Sequence, residues 1–188
     1  MKKLLLGVFA MGLTFALFAQ EPTFQKGDKV LNLGLGLGST LYSGTGYTSS
    51  VPPVSASFEI GVKDDVLEVG SIGLGGYIGY AAWEWKTEWF GDTWGYKYTD
   101  FILGVRGTFH YPLLDKLDTY TGLMIGYESV SAKEFGTVNP LFSYNVSTGG
   151  GIWSWYAGGR YYFSDKFAGM LELGYGIAYL NLGVALKL

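Results

Sequence analysis

The sequence predicts an all-β protein, a closed eight-stranded antiparallel up-and-down transmembrane β-barrel. Three observations predict it: the composition, an apolar residue at every second position of several segments, and short charged connectors alternating with longer ones. The 188-residue chain has 30 glycines and is 18% aromatic but only 15% charged, whereas soluble domains average about 25% charged residues. This composition excludes a disordered or collagen-like chain and favours a dense β protein or a membrane protein.

The first residues have the organisation of a secretory signal peptide. Lys2 and Lys3 precede an apolar run over 4–18, and the small residue Ala19 follows it. The alternative is an N-terminal membrane anchor, but the run is shorter than the roughly 20 residues that a spanning helix needs. We therefore expect residues 1–19 to be a signal peptide and residues 20–188 to form one barrel domain.

Apolar residues recur with a period of two along much of the remaining chain. Every odd residue from Leu31 to Leu37 is leucine, and every even residue from Leu180 to Leu188 is leucine or valine. Because successive side chains of a strand point to opposite faces, this spacing predicts strands with one apolar face and one small or polar face. The predicted strands lie near 28–41, 53–62, 69–85, 96–111, 118–128, 151–163, 168–176 and 178–188.

The connectors between these strands alternate in length. Short charged connectors lie at 63–65, 115–118 and 164–166, and longer ones rich in Gly, Ser, Thr and aromatic residues lie at 42–52, 86–95 and 129–150. Outer-membrane barrels have short periplasmic turns and longer extracellular loops. We therefore expect a barrel in the outer membrane of a Gram-negative bacterium, with both termini on the periplasmic side.

The non-apolar face of the strands indicates which face meets water. A soluble lipocalin-like barrel would need a charged outer face, yet the non-apolar positions are mostly Gly, Ser and Asn, as at Ser55, Ser57 and Gly61. Small side chains suit the lumen of an eight-stranded barrel, which is just wide enough for side chains to fill. The apolar face is therefore expected to contact lipid.

Aromatic residues cluster near the ends of the predicted strands. Membrane barrels carry aromatic girdles at both interfaces with water, and we expect the tryptophans to form the outer girdle. The alternative is a surface that contacts carbohydrate or protein, which also fits Trp89 and Trp94 in the long connector. The six tryptophans are Trp83, Trp85, Trp89, Trp94, Trp153 and Trp155.

Several strand–turn–strand segments resemble those of the small outer-membrane β-barrel proteins of the OmpX and OmpA-barrel type, especially the versions common in Bacteroidota. The resemblance covers the whole chain after residue 19, although Leu188 stands where the family usually ends in Phe. It implies contact with outer-membrane lipid and lipopolysaccharide, assembly by the barrel-assembly machinery, and a structural, adhesive or enzymatic role. The segments are 104–111, 114–118, 158–166, 172–176 and 180–184.

Four charged residues fall on the non-lipid positions of their strands, each a few residues from a short connector. They are Glu59, Arg106, Arg160 and Glu172. Ionisable groups at membrane depth are costly unless they are paired, so we expect one charge-balanced layer in the lumen. The structural interpretation is an electrostatic plug that joins the strands; the alternative is a gate whose pairs exchange to open a narrow conductance.

Catalytic and metal sites are not predicted. The chain has no cysteine and a single histidine, His110, with no serine near it in sequence, whereas a general base needs its nucleophile within hydrogen-bond reach. Lipid A-modifying enzymes are similar small barrels, but they act through His paired with Ser or Asp at the outer leaflet, and His110 lies beside a predicted periplasmic turn. The net charge of −3 provides no basic surface for nucleic acid.

The sequence therefore predicts a monomeric, non-enzymatic outer-membrane barrel without a cofactor. Its expected role is structural or surface-interacting, with the 129–150 connector as the contact surface for an extracellular protein or glycan. A narrow small-solute pore is the alternative, followed by a lipid A-modifying enzyme.

Overall fold

The computed structural model describes residues 22–38, 46–89, 92–136 and 145–188. The predicted signal peptide, residues 1–19, lies outside the described residues. Within the described part the strands pair in chain order, and β1 also pairs with β8, so that the sheet closes into an antiparallel barrel. The strands are β1 (Lys29–Leu37), β2 (Tyr47–Val66), β3 (Gly70–Trp89), β4 (Asp92–Leu114), β5 (Leu117–Gly136), β6 (Asn145–Tyr162), β7 (Phe167–Gly174) and β8 (Leu180–Lys187).

This architecture confirms the predicted fold class, but the wall of the barrel is uneven. The strands β2 to β6 have 18 to 23 residues, whereas β1, β7 and β8 have 8 or 9. Pairing between β1 and β2 ends at Leu35 and Val54, and pairing between β6 and β7 ends at Tyr156 and Gly174. Beyond these pairs, β2 to β6 continue as an open five-stranded sheet, which we call the sheet extension: residues 47–53, 81–89, 92–100, 128–136 and 145–152.

The predicted long connectors are wrong in extent, because most of their residues continue the strands. Residues 129–136 and 145–150 of the predicted 129–150 contact surface pair in β5 and β6, and residues 137–144 lie outside the described part. Strand pairing is made by backbone groups, so polar segments without apolar alternation can still form it. The first short turn also differs from its predicted position at 63–65, because β2 runs to Val66 and the turn lies at 67–69.

Exposure follows the predicted alternation around the barrel. On β4, Phe101, Leu103 and Val105 are 45%, 56% and 59% exposed, whereas the alternate residues Ile102, Gly104 and Arg106 are buried. Comparable exposed apolar side chains occur on all the other strands, for example Leu35, Phe58, Leu74, Ile125, Trp153, Leu171 and Val184. A continuous apolar band therefore surrounds the barrel.

The inside of the barrel is filled at two levels. Near the sheet extension, the β7–β8 connection folds inward, so that Ile177 and Ala178 are buried against Tyr77, Ile102 and Tyr156. At the other end, which carries the short turns and which we call the turn end, a second apolar cluster contains five buried residues. They are Phe24, Val30, Tyr162, Ala168 and Ala185.

The turn between β4 and β5 requires an unusual backbone conformation. Lys116 has a φ of 63°, a left-handed conformation that a Cβ disfavours by about 1–2 kcal/mol. Lysine already carries this cost, so we predict that Lys116→Gly does not lower the free energy of unfolding, whereas Lys116→Val lowers it because a β-branched side chain fits the left-handed region still less well. Urea unfolding in micelles, followed by tryptophan fluorescence, measures both changes. The adjacent Asp115 does not have a positive φ, so Asp115→Val is the control; equal costs for the two valine variants would contradict the prediction.

Candidate functional site

The four charged residues expected in the lumen all lie inside the barrel. Glu59 is 5%, Arg106 9%, Arg160 1% and Glu172 7% exposed. They stand on β2, β4, β6 and β7, and they meet because inward positions of different strands face the same narrow axis. They belong to two groups rather than one layer, one around Arg160 near the turn end and one around Arg106.

The Arg160 group is a closed cycle of four side chains. The Arg160 guanidinium donates from Nη1 to Asp118 Oδ2 (3.0 Å) and from Nη2 to Glu59 Oε2 (2.5 Å). The other oxygen of each carboxylate faces His110: Asp118 Oδ1 lies 2.8 Å from Nδ1, and Glu59 Oε1 lies 3.1 Å from Nε2. A doubly protonated imidazole can donate to both carboxylates, which makes the cycle electrically neutral.

The Arg106 group pairs one guanidinium with one carboxylate. Arg106 Nη2 lies 2.6 Å from Glu172 Oε2, which also accepts a hydrogen bond from the Tyr120 hydroxyl (3.1 Å). The guanidinium carbon stands 3.6 Å from the centre of the Tyr156 ring, within the range of a cation–π interaction. This group is also neutral by itself, so each charge of the two groups has a partner of opposite sign.

Sequence reasoning missed His110 and Asp118 as members of these groups. His110 lies four residues after Arg106 on β4, so both side chains have the same inward parity. This parity could have identified His110 as a lumen residue. Its closeness to a turn instead favoured a position at the mouth of the lumen. Asp118 was included in the 115–118 connector, but it is the second residue of β5 and is 1% exposed.

The lumen is closed on both sides of the charged groups. At the turn end, Phe24 stacks on His110 with ring centres 3.9 Å apart, and the Phe24 carbonyl accepts a hydrogen bond from Ser71 Oγ (2.9 Å). Toward the sheet extension, the cavity between Arg106, Glu172 and the β7–β8 connection has a volume of about 10 Å³. That volume is enough for roughly one water molecule.

The tryptophans do not form one girdle. Trp153 and Trp155 face outward and are 74% and 49% exposed. Trp83 instead packs against the interior cluster, and it shares the inward parity of β3 with Trp85. Trp94 shares the inward parity of β4 with Arg106, so these three indoles do not belong to an outward-facing belt. Trp89 ends β3, and its side chain lies outside the described part.

Other functional chemistry is not apparent in the described ranges. No group of three or more His, Cys, Asp or Glu side chains there could hold a metal ion, and no described helix is long and apolar enough to cross a membrane. Both ring nitrogens of His110 face carboxylates, so the histidine has no serine partner. The geometry is that of interactions that hold strands together.

The Arg160 cycle provides a stability prediction. Arg160→Met keeps most of the volume but leaves Glu59 and Asp118 without the guanidinium, and unpairing a buried charge costs about 3–5 kcal/mol. We expect that loss in the free energy of unfolding, measured by urea titration in micelles. The control is Lys97→Met, since Lys97 pairs with Glu84 at the surface, with the two side chains 50% and 38% exposed, and such pairs contribute about 0–1 kcal/mol. Equal losses in the two variants would contradict the prediction.

No protein-family model matches the sequence, and no curated protein sequence matches it. Among solved structures, the chain is similar to Ail, the attachment invasion locus protein of Yersinia pestis, with 11% identity, a TM-score of 0.49 and coverage of 87% of this chain and 96% of Ail. A structure of Ail in complex with the heparin analogue sucrose octasulfate gives 10% identity, a TM-score of 0.47 and the same coverage of 87% and 96%. The N-terminal β-barrel domain of Pseudomonas aeruginosa OprF gives 13% identity and a TM-score of 0.49, over 87% of this chain and 98% of that domain.

Proposed function

We propose that this protein is an integral outer-membrane β-barrel with a structural or surface-interaction role, no catalytic activity and a lumen that does not conduct. In this proposal the turn end and both termini lie in the periplasm, and the sheet extension lies outside the cell. The outward face contacts lipid and lipopolysaccharide, the barrel-assembly machinery inserts the chain, and the protein acts as a monomer.

The observation that carries the proposal is the continuous band of exposed apolar side chains around a closed barrel. On β4 the band runs from Phe101 toward Phe109 and Tyr111, a length close to the 9–11 residues of a membrane-crossing strand. Beyond it, the outward positions become polar at Thr99 and Lys97. Soluble monomers rarely expose a contiguous apolar surface of this extent, and a closed barrel leaves no unpaired strand edge in lipid.

The contents of the lumen support a structural role over a pore. Each charge of the Arg160 cycle and of the Arg106 group is paired, and Phe24 and Ile177 cover the two sides. Exchanging partners to open a path would separate buried charges, which is costly at low dielectric. Because both nitrogens of His110 face carboxylates, the same arrangement also supports a non-enzymatic role.

The membrane placement can be tested on one face of one strand. Val105 lies in the middle of the apolar band on β4, and Thr99 lies on the same face beyond the band. An outward arginine costs about 2–4 kcal/mol at the bilayer midplane and about 0–1 kcal/mol near the interface. We therefore expect Val105→Arg to lower the free energy of unfolding in lipid vesicles by the larger amount and Thr99→Arg by the smaller. Equal effects would contradict a membrane boundary between these residues.

Conductance tests the plug against the pore. We expect the wild-type protein, reconstituted in a planar bilayer, to give no single-channel steps. Arg106→Ala should stay closed, because Tyr120, Tyr156 and Ile177 still fill the lumen. Heat-modifiable migration on a denaturing gel checks that each sample is folded. Steps from the wild-type protein would identify a pore, and steps from Arg106→Ala alone would identify the Arg106–Glu172 pair as a gate.

A further inference from the structure

The faces of the sheet extension have the opposite polarity to those of the barrel below it. In the barrel the outward positions are apolar, and the inward positions carry the buried charged groups and small residues together with the two interior clusters. In the extension the outward positions of β3 and β4 carry Glu84, Lys86 and Lys97, whereas the inward positions carry Trp85 and Tyr98. The β3–β4 ladder is continuous from Ser71–His110 to Trp89–Asp92 without a register shift, so the inversion arises from the sequence and not from a bulge.

The inward aromatic residues of the extension form one connected group. Ring centres are 5.8 Å apart between Trp85 and Trp94, 5.2 Å between Trp94 and Tyr96, 6.2 Å between Tyr96 and Tyr98, and 6.1 Å between Tyr98 and Tyr47. We call these five residues the aromatic face. The rings come from β2, β3 and β4, so they cover the inner side of a curved sheet beyond the apolar band.

The charges beside the aromatic face have a single sign. Among the described residues, the inward positions of the extension carry three carboxylates, Asp100, Glu128 and Glu134, and no lysine or arginine. Glu134 Oε1 accepts a hydrogen bond from Trp94 Nε1 (2.5 Å), and Asp100 is fully buried. Glu134 also pairs with Tyr96 across β4 and β5, whereas Glu128 pairs with Ile102, four residues below Tyr98 on β4, so Glu134 is the carboxylate beside the rings.

Packing within the protein does not require this arrangement. The β7–β8 connection already covers the barrel below the extension through Ile177 and Ala178. Tyr47 remains 36% exposed, and Trp85, Trp94, Tyr96 and Tyr98 are only partly buried. Aromatic rings attract cations through their faces, most strongly in tryptophan and tyrosine, and carboxylates at the base of such a surface add to the attraction.

We propose that the inner side of the sheet extension is a binding site for a ligand that carries an alkylammonium group, with the rings of the aromatic face around the cation and Glu134 as its counter-charge. The inference rests on the proposed function insofar as the extension is taken to lie outside the membrane. A neutral glycan could stack on the same rings, but it would not need acidic residues of one sign beside them.

Choline is a suitable probe, because 3,3-dimethyl-1-butanol has the same shape without the charge. The protein is prepared in tetraethylene glycol octyl ether micelles, which contain neither an ammonium group nor a sugar, and broadening of the probe's methyl resonance is measured by NMR. We expect saturable binding of choline and at least tenfold weaker binding of the neutral analogue. Equal binding of both probes, or no binding of choline, would overturn the proposal.

Variants locate the site. Glu134→Gln and Trp85→Leu should each weaken choline binding at least fivefold, whereas Trp85→Phe, which keeps a ring, should lose less than Trp85→Leu. Trp153→Leu, which removes an outward-facing ring in the apolar band, should bind choline like the wild type. If Trp85→Leu does not show heat-modifiable migration, Glu134→Gln and Trp85→Phe still test the site. Choline binding that none of these variants changes would overturn the location.

A neutral hexasaccharide such as maltohexaose provides the comparison with a glycan surface. Binding of this sugar without binding of choline would contradict the cation site and indicate a carbohydrate platform. Failure of the membrane placement is recognised separately, because Val105→Arg and Thr99→Arg would then have equal effects whatever the result with choline.

Discussion

The pairing of β1 with β8 is the interaction on which the rest of the structure depends. It closes the sheet, so every inward side chain enters a space that eight strands leave only wide enough for side chains. Charges in such a space are removed from water and must neutralise one another. The Arg160 cycle and the Arg106–Glu172 pair meet this requirement separately, and they connect β2, β4, β5, β6 and β7 across the lumen. Closure thus allows side-chain bonds across the lumen, some of which join strands that are not neighbours, such as Glu59–Arg160 between β2 and β6 and Arg106–Glu172 between β4 and β7.

Alternation was sufficient to predict which residues face the lumen, but not which of them meet. Parity alone places Glu59, Arg106, Arg160 and Glu172 on inward positions. Whether two inward residues touch depends on the stagger between neighbouring strands, which the sequence pattern does not contain. Stagger brings Asp118 and His110 to Arg160 and leaves Arg106 with Glu172, so the expected single layer becomes two groups. The longer strands could not be predicted either, because their polar ends, such as 145–150, pair through the backbone and have no apolar alternation.

The short strands explain how the lumen is closed toward the sheet extension. Since β7 and β8 end well below the tips of β3 and β4, the connection between them reaches the interior, and Ile177 and Ala178 occupy the space above the Arg106 group. Glycine at some inward positions is also required by this packing, because a Cβ there would collide with a neighbouring side chain. A Cβ at Gly158 would lie 2.8 Å from the Tyr120 hydroxyl, which donates to Glu172. Gly158 therefore makes room for a tyrosine that holds one of the buried carboxylates.

The polarity of the two faces of β4 inverts near Asp100. From Tyr111 to Phe101 the outward residues are apolar and the inward residues form the buried charged groups, a pattern that barrel closure and an apolar surrounding explain together. Beyond Asp100 the outward residues are polar, as a strand in water requires, and packing would then favour either small inward residues or a covering segment. The described residues instead place partly exposed rings and carboxylates there. Neither membrane contact nor the filling of the lumen requires Trp85, Trp94, Tyr96 and Tyr98 at these positions, and a cationic ligand accounts both for the rings and for their acidic neighbours.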